Sequence, residues 1–199
     1  MAQNYQIRPA REEDARKIAE LVAISSSGIA TIEWQKQAEL EDCTALDVGE
    51  RIYRISQPGY SYLSTTIIDL GGEIAGMLLS FAIPNSSPRN PDNRPGADHE
   101  NVFAPYLYLE EPNSWYICGI AFYPQHRRKG LGTKLMSLAN QQAIDNGFKT
   151  LSLVAFEQNS ESVRLYQRLG YKIIDWAPIV HHPVIPYQGN ACLMTRMVI

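Results

Sequence analysis

One stretch, Ser114 to Thr133, restricts the fold more than any other: S-W-Y-I-C-G-I-A-F-Y-P-Q-H-R-R-K-G-L-G-T. It begins as a strand. Trp115, Ile117, Ile120 and Phe122 are apolar, and this β-branched and aromatic density suits a buried sheet position. Gly119 interrupts the run, as glycine does at a bulge or a close backbone approach. Pro124 ends the strand. Arg127, Arg128 and Lys129 come next, and Gly130 and Gly132 close the turn. An amphipathic helix begins at once, with Leu131, Leu135, Leu138 and Ala139 at i, i+4, i+7 and i+8.

Strand, cationic glycine turn and helix in that order have a chemical meaning. The first N–H groups of a helix lack intrahelical partners, and the helix dipole puts partial positive charge there. Glycines let a bulky anion reach bare backbone. Together with the cations they suit phosphate, most naturally pyrophosphate. A Walker A loop would need G-x-x-x-x-G-K-[ST], and Gly130 lacks that tail. A dinucleotide fingerprint would need a third glycine where Leu135 stands. On the turn alone, a basic surface loop that happens to carry two glycines remains an equal reading.

Arg127-Arg128-Lys129-Gly130-Leu131-Gly132 after a hydrophobic strand resembles the acyl-CoA pyrophosphate loop, R/Q-x-x-G-x-G/A, of the GNAT superfamily of N-acetyltransferases. A second resemblance lies downstream. Strand Thr150–Phe156, then Asn159, then Arg164 to Tyr171 (R-L-Y-Q-R-L-G-Y) is similar to that superfamily's N-x-x-A-x-x-x-Y-x-x-x-G-F/Y segment, with Ser162 at the usual alanine. The opening Ile7-Arg8-Pro9-Ala10, Asp14 and a helix also resembles the family. The implied fold is α/β: a mixed, mostly antiparallel central sheet flanked by helices around a strand–pyrophosphate loop–helix unit.

Composition excludes some classes. The 199 residues suit one domain, 1–199, and at 45% hydrophobic and 20% charged they read as soluble and globular. Net charge of −3 argues against nucleic acid. No apolar run has membrane-span length, and the N-terminus lacks a signal-peptide core. Cys43, Cys118 and Cys192 are scattered, without C-x-x-C, so neither disulfide framework nor metal site is expected. A cytoplasmic location is the default.

Along the chain, Tyr5–Arg8 reads as a strand and Glu12–Ile24 as a helix with Ala15, Ile18, Ala19 and Val22 on one face. Thr31 is the expected cap of a helix from about Ile32 to Glu41, and Asp47–Ser56 a third helix. Helices here usually border the acceptor groove in the resembled family, which draws attention to Glu33 and Trp34; an aromatic there is more often core. Tyr62–Leu70 and Glu73–Ile83 form a hairpin across Gly71-Gly72. Residues Pro84 to Asn113 form a long insertion: Asn85–Glu100 reads as an exposed excursion, and Val102–Glu111 carries aromatics. Those aromatics can face a substrate groove, a second subunit in a homodimer, or their own domain. Gly147 should stop the central helix, Thr150–Phe156 is a strand, Asn159 or Ser160 caps the next helix, and Gly170 closes it. Tyr171–Trp176 and Ala191–Ile199 are the last strands.

The resemblance implies acetyl-CoA as donor. Its pantetheine would meet the backbone of Ile120, Ala121 and Phe122, and its pyrophosphate the N–H groups of Arg127, Arg128, Lys129, Gly130, Leu131, Gly132 and Thr133. Tyr166, seven residues after Asn159, would be the acid for the departing thiolate, and Asn159 a pantetheine contact as well as a cap. From the residues alone, Tyr166 reads rather as a packed aromatic sharing a face with Val163 and Leu169; the resemblance is what favours the acid. The base is open among Glu110, Glu111, Glu157, His181 and His182; some protein-acetylating relatives carry a glutamate where this chain has Val154. The acceptor would be a primary amine of a small molecule or peptide. Tyr106, Tyr108 and Glu110 would suit a cationic amine, though adjacent Glu110 and Glu111 also read as a solvated rim. The alternatives are a non-catalytic acyl-CoA sensor and an interaction module on the same fold.

Overall fold

Strands β1 (Gln6–Pro9), β2 (Thr65–Leu70), β3 (Glu73–Ile83), β4 (Ser114–Phe122), β5 (Thr150–Phe156), β6 (Lys172–Pro178) and β7 (Asn190–Met197) alternate with helices α1 (Ala15–Ser25), α2 (Ile29–Glu41), α3 (Ala45–Arg54), α4 (Leu131–Asp145) and α5 (Ser160–Arg168). The structure is a computed structural model and describes residues 5–85, 102–103, 106 and 109–198. The strands form a seven-stranded sheet in the order β1-β2-β3-β4-β5-β7-β6. The sheet is mostly antiparallel; β4 and β5 are the parallel pair, with Trp115–Ile117 beside Leu151–Leu153. This is the mixed α/β architecture expected. No helix among the described residues is long and apolar enough to cross a membrane. The chain divides into two compact units, residues 1–81 with 118–137 and residues 82–117 with 138–199.

In the first unit, α1 buries Ala15, Ile18, Ala19 and Val22, as their periodicity requires, against Ile67, Met77 and Leu79 of the sheet. Its start is a short 3-10 turn, Glu12–Asp14. There the Asp14 carboxylate accepts from Arg11 N at 2.8 Å and from Arg8 Nη1 at 2.7 Å. Arg8 Nε also donates to Asp69 at 3.1 Å, so one guanidinium ties β1, the start of α1 and the end of β2. Gly71 and Gly72 turn the hairpin at φ 64 and 94, the left-handed values a two-residue connection needs.

Three boundaries differ from expectation. β2 begins at Thr65, because Tyr62–Ser64 forms a 3-10 turn ahead of it. α2 begins at Ile29, capped by Gly28 at φ 89, and Thr31 lies inside the first turn, donating its hydroxyl to Gly28 O at 2.5 Å. α3 is capped by Thr44, whose hydroxyl accepts from Asp47 N while the Asp47 carboxylate accepts from Thr44 N. Trp34 is core: it is 5% exposed, meets Tyr53 edge-on at 6.2 Å, and lies 2.7 Å from where a Cβ on Gly49 would be.

In the second unit, β7 pairs with β5 on one side and β6 on the other. Leu151, Leu153, Leu193 and Met194 are buried there. Ser114 and Ser152 hydroxyls hydrogen-bond at 2.6 Å where β4 and β5 begin. Gly147 ends α4 at φ 77, as expected.

Strand β3 meets β4 at Gly76, where an added Cβ would lie 2.4 Å from Phe122 Cδ1 and 2.5 Å from Ala121 O. The carbonyl is backbone and cannot rotate away. Gly76→Ala should cost about 1–3 kcal/mol by overpacking, read as a lower thermal midpoint; an unchanged midpoint would mean that the two strands are not this close.

Candidate active site

From Ile117 to Phe122 burial along β4 alternates residue by residue. Cys118 packs at the edge of the core that α1 closes, and the position of a Cβ on Gly119 lies 2.8 Å from Ser25 Oγ of α1. Successive residues of a regular strand point to opposite faces. Ala121 is 4% exposed in the same core as Gly119, while Phe122 lies over Gly76. Trp115, Ile120 and Phe122, expected to be buried, are half-buried; Ile117, Gly119 and Ala121 take the buried positions. β4 continues to Phe122, five residues beyond Ile117, the last residue it pairs with β5.

The turn after β4 is held from behind. Pro124–His126 forms a 3-10 turn. His126 is 5% exposed, with Nε2 3.4 Å from Glu73 and its ring edge-on to Tyr5. Arg127 Nε donates to Phe122 O at 3.1 Å, so its side chain folds back on the strand. Arg128 and Gly130 both have left-handed backbones, φ 58 and 74. A non-glycine residue there is uncommon. Buried Leu131, Leu135 and Ala139 seat α4. Added Cβ atoms on Gly130 and Gly132 would meet nothing within 4 Å. Open space therefore lies over a helix N-terminus whose first N–H groups lack intrahelical partners. A neighbouring surface pocket of about 440 Å³ is lined by Lys17, Gly72, Glu73, Ile74, Tyr123 and Gln125, and no predicted site residue lines it.

In the second unit, Asn159 caps α5: its Oδ1 accepts from Ser162 N at 3.3 Å, and its own N donates to Phe156 O at 2.9 Å. Tyr166 is half-buried and packs on Tyr171 at 5.9 Å. Desolvation raises its pKa above the ordinary phenol value, so the hydroxyl keeps its proton at neutral pH. The backbone that carries it is locked, because Leu169 N and Tyr171 N both donate to Tyr166 O at 3.0 Å.

Arg196 was not anticipated from sequence. Its Nη1 donates to Leu169 O at 3.0 Å, its Nη2 to Asn140 Oδ1 at 2.8 Å, and its guanidinium lies 5.3 Å from the Tyr171 ring centre. It thus fastens the end of α5 to β7 and α4. The available signal was a lone cation in the apolar run A-C-L-M-T-R-M.

Of the expected acceptor residues, Tyr106 belongs to the core of its own unit. Its ring meets Phe156 edge-on at 6.2 Å, its hydroxyl is buried without a partner, and burial raises its pKa strongly. Val102 and Leu109 are also buried. Tyr108 and the stretch 86–101 lie outside the described residues. Glu110 is half-buried, and burial raises its carboxyl pKa. Among the described residues no group of three or more His, Cys, Asp or Glu could hold a metal ion.

Comparison with known proteins agrees with this geometry. The model of the Acetyltransferase (GNAT) family matches residues 28–171, and the chain belongs to that family. An N-acetyltransferase of Escherichia coli K12, YjgM, is 41% identical over 56 residues, 28% of this chain and 34% of that protein. The match therefore spans about a third of that relative's length. A solved acetyltransferase structure superposes with a TM-score of 0.66 at 20% identity, covering 98% of this chain and 100% of that one. An N-acetyltransferase from Staphylococcus aureus Mu50 gives 0.62 at 18%, covering 96% and 100%. A GNAT family acetyltransferase from Elizabethkingia anophelis, solved with acetyl-CoA bound, gives 0.57 at 15%, covering 98% of each chain.

Arg196→Ala would leave Leu169 O and Asn140 without their charged donor. Hydrogen bonds to charged groups contribute about 1.5–3 kcal/mol, so a loss of that size in denaturant unfolding is expected, with partial recovery in Arg196→Lys. A silent Arg196→Ala would show that α5 is held by other contacts.

Proposed function

We propose that the protein is an acetyl-CoA-dependent N-acetyltransferase that moves an acetyl group to a primary amine of a small molecule or peptide by direct attack. The observation that carries this reading is the turn Arg127–Gly132. Two left-handed residues and two uncovered glycines precede a seated helix N-terminus, on a strand whose pairing with β5 stops at Ile117. The family of the chain supports it, as does the acetyl-CoA bound in the similar Elizabethkingia anophelis enzyme. We read both compact units as parts of one acetyltransferase domain, since residues 28–171 run through both.

In this reading the pyrophosphate lies on the N–H groups from Arg127 to Thr133, and the charges of Arg128 and Lys129 add to the field of the helix. The backbone of Ile120, Ala121 and Phe122 carries the pantetheine arm and polarises the thioester carbonyl. Arg127 shares the Phe122 carbonyl, which has a second lone pair to offer. The amine nitrogen forms its bond to the carbonyl carbon, the carbon–sulfur bond breaks, and the sulfur leaves as thiolate. Tyr166 supplies the thiolate's proton. Asn159 uses its oxygen as a helix cap, which leaves its amide N–H groups for the pantetheine. A cytoplasmic setting, where thiols stay reduced, suits three free cysteines. An acyl-CoA sensor would share the donor site, but it would have no use for a protonated tyrosine on a locked helix turn.

Isothermal titration with acetyl-CoA tests the donor site. Wild type should bind, and an Arg127→Ala, Arg128→Ala, Lys129→Ala variant should bind at least tenfold more weakly. No wild-type binding would overturn the proposal. Tyr166→Phe should keep acetyl-CoA affinity while kcat drops by about 10²-fold or more, the range for a lost general acid. Unchanged turnover at every pH would remove the tyrosine from the mechanism.

A further inference from the structure

A pyrophosphate site built from backbone N–H groups works only while those groups keep one arrangement. We propose that His126 is the positioning residue of this site: its buried ring seats the turn after β4 against the starts of β1 and β3, and so fixes the backbone that follows it for the pyrophosphate. The proposal rests on the acetyltransferase reading above.

Burial along the turn singles His126 out. From Tyr123 to Gly130 it alone is buried: Tyr123 is half-buried, and Pro124, Gln125 and Arg127 to Gly130 are exposed. Leu131, the next residue, is buried again. The exposed cationic run is therefore held between two side chains, His126 on its strand side and Leu131 on its helix side. Leu131 seats α4, and His126 seats the turn.

The contacts of the ring are directional. His126 Nε2 lies 3.4 Å from Oε1 of Glu73, the first residue of β3. The ring meets Tyr5, just before β1, edge-on at 6.5 Å. A carboxylate can only accept, so Nε2 carries the ring proton and Nδ1 is bare. Nδ1 is buried and has no hydrogen-bond partner among the described residues. Around the ring, His126 N donates to Tyr123 O at 2.9 Å, Arg127 N to Pro124 O at 3.3 Å, and Tyr123 N to Ala75 O at 3.1 Å. Ring, turn and β3 thus form one block within the first unit.

This block holds an uncommon backbone. Two residues after His126, Arg128 takes φ 58, which a non-glycine residue keeps only where its surroundings enforce it. Arg128 lies between the two buried side chains. Without the ring, the chain from Arg127 to Gly130 can relax, and its N–H groups have to be ordered again when the anion binds, which weakens binding. His126 lies too deep to be a ligand itself; it acts through the backbone that follows it.

The test is isothermal titration with acetyl-CoA, with thermal unfolding and amide hydrogen exchange of the free protein alongside. His126→Ala removes the ring. It should bind acetyl-CoA about tenfold more weakly and exchange the amides of residues 127–133 faster, while those of α1 keep their protection. Val48→Ala is the control for a general loss of stability, since Val48 is buried in α3; it should lower the thermal midpoint and leave the affinity at the wild-type value. His126→Phe keeps the ring and its edge contact, and it loses the Glu73 bond together with the bare buried acceptor, so it should recover most of the affinity. His126→Leu keeps an apolar side chain without the edge contact. It should bind about threefold more weakly, and it carries the test should His126→Ala fail to fold. Wild-type affinity in folded His126→Ala, or in His126→Leu where the alanine variant does not fold, would overturn the role of His126 while the acetyltransferase reading stands. No recovery in His126→Phe, or an equal loss of affinity in Val48→Ala, would overturn it as well. Wild type without affinity for acetyl-CoA would overturn both.

Discussion

The approach of α1 to the backbone of β4 is the constraint on which the first unit depends. Ser25 Oγ stands 2.8 Å and Ser25 Cβ 3.3 Å from where a side chain on Gly119 would begin, so a larger residue there requires the serine to turn away and its Cβ to give by a few tenths of an ångström. Met77 and Ala121 close the same contact from the sheet. Gly119 and Ala121 share the side that meets the helices, so Phe122, the next residue, lies over the other face at Gly76. Two glycines on neighbouring strands thus set where the last residues of β4 point, and with them where the chain enters the turn.

Beyond the turn, burial governs the structure more than charge does. The exposed ion pairs on α1 and α3, such as Arg16 with Asp47 and Glu50, stabilise weakly because water screens them. Buried Leu131, Leu135 and Ala139 fix α4 instead, at about 1.5–3 kcal/mol for each leucine. Because the helix is held by one face, its first turn can leave N–H groups uncovered beneath Gly130 and Gly132. The cations sit on a chain of net charge −3, so the positive field is local to that turn.

Much of this was legible in the sequence, for reasons that differ by residue. β3, β4 and β5 were readable from apolar runs, the hairpin from Gly71-Gly72, and the cap of α5 from Asn159, because each is encoded within a few residues. The start of α2 was misplaced because Thr31 looks like a cap; its hydroxyl serves Gly28 O inside the turn, and Gly28 does the capping through its left-handed backbone. Arg196 was missed because its partners, Leu169 and Asn140, lie far away in sequence.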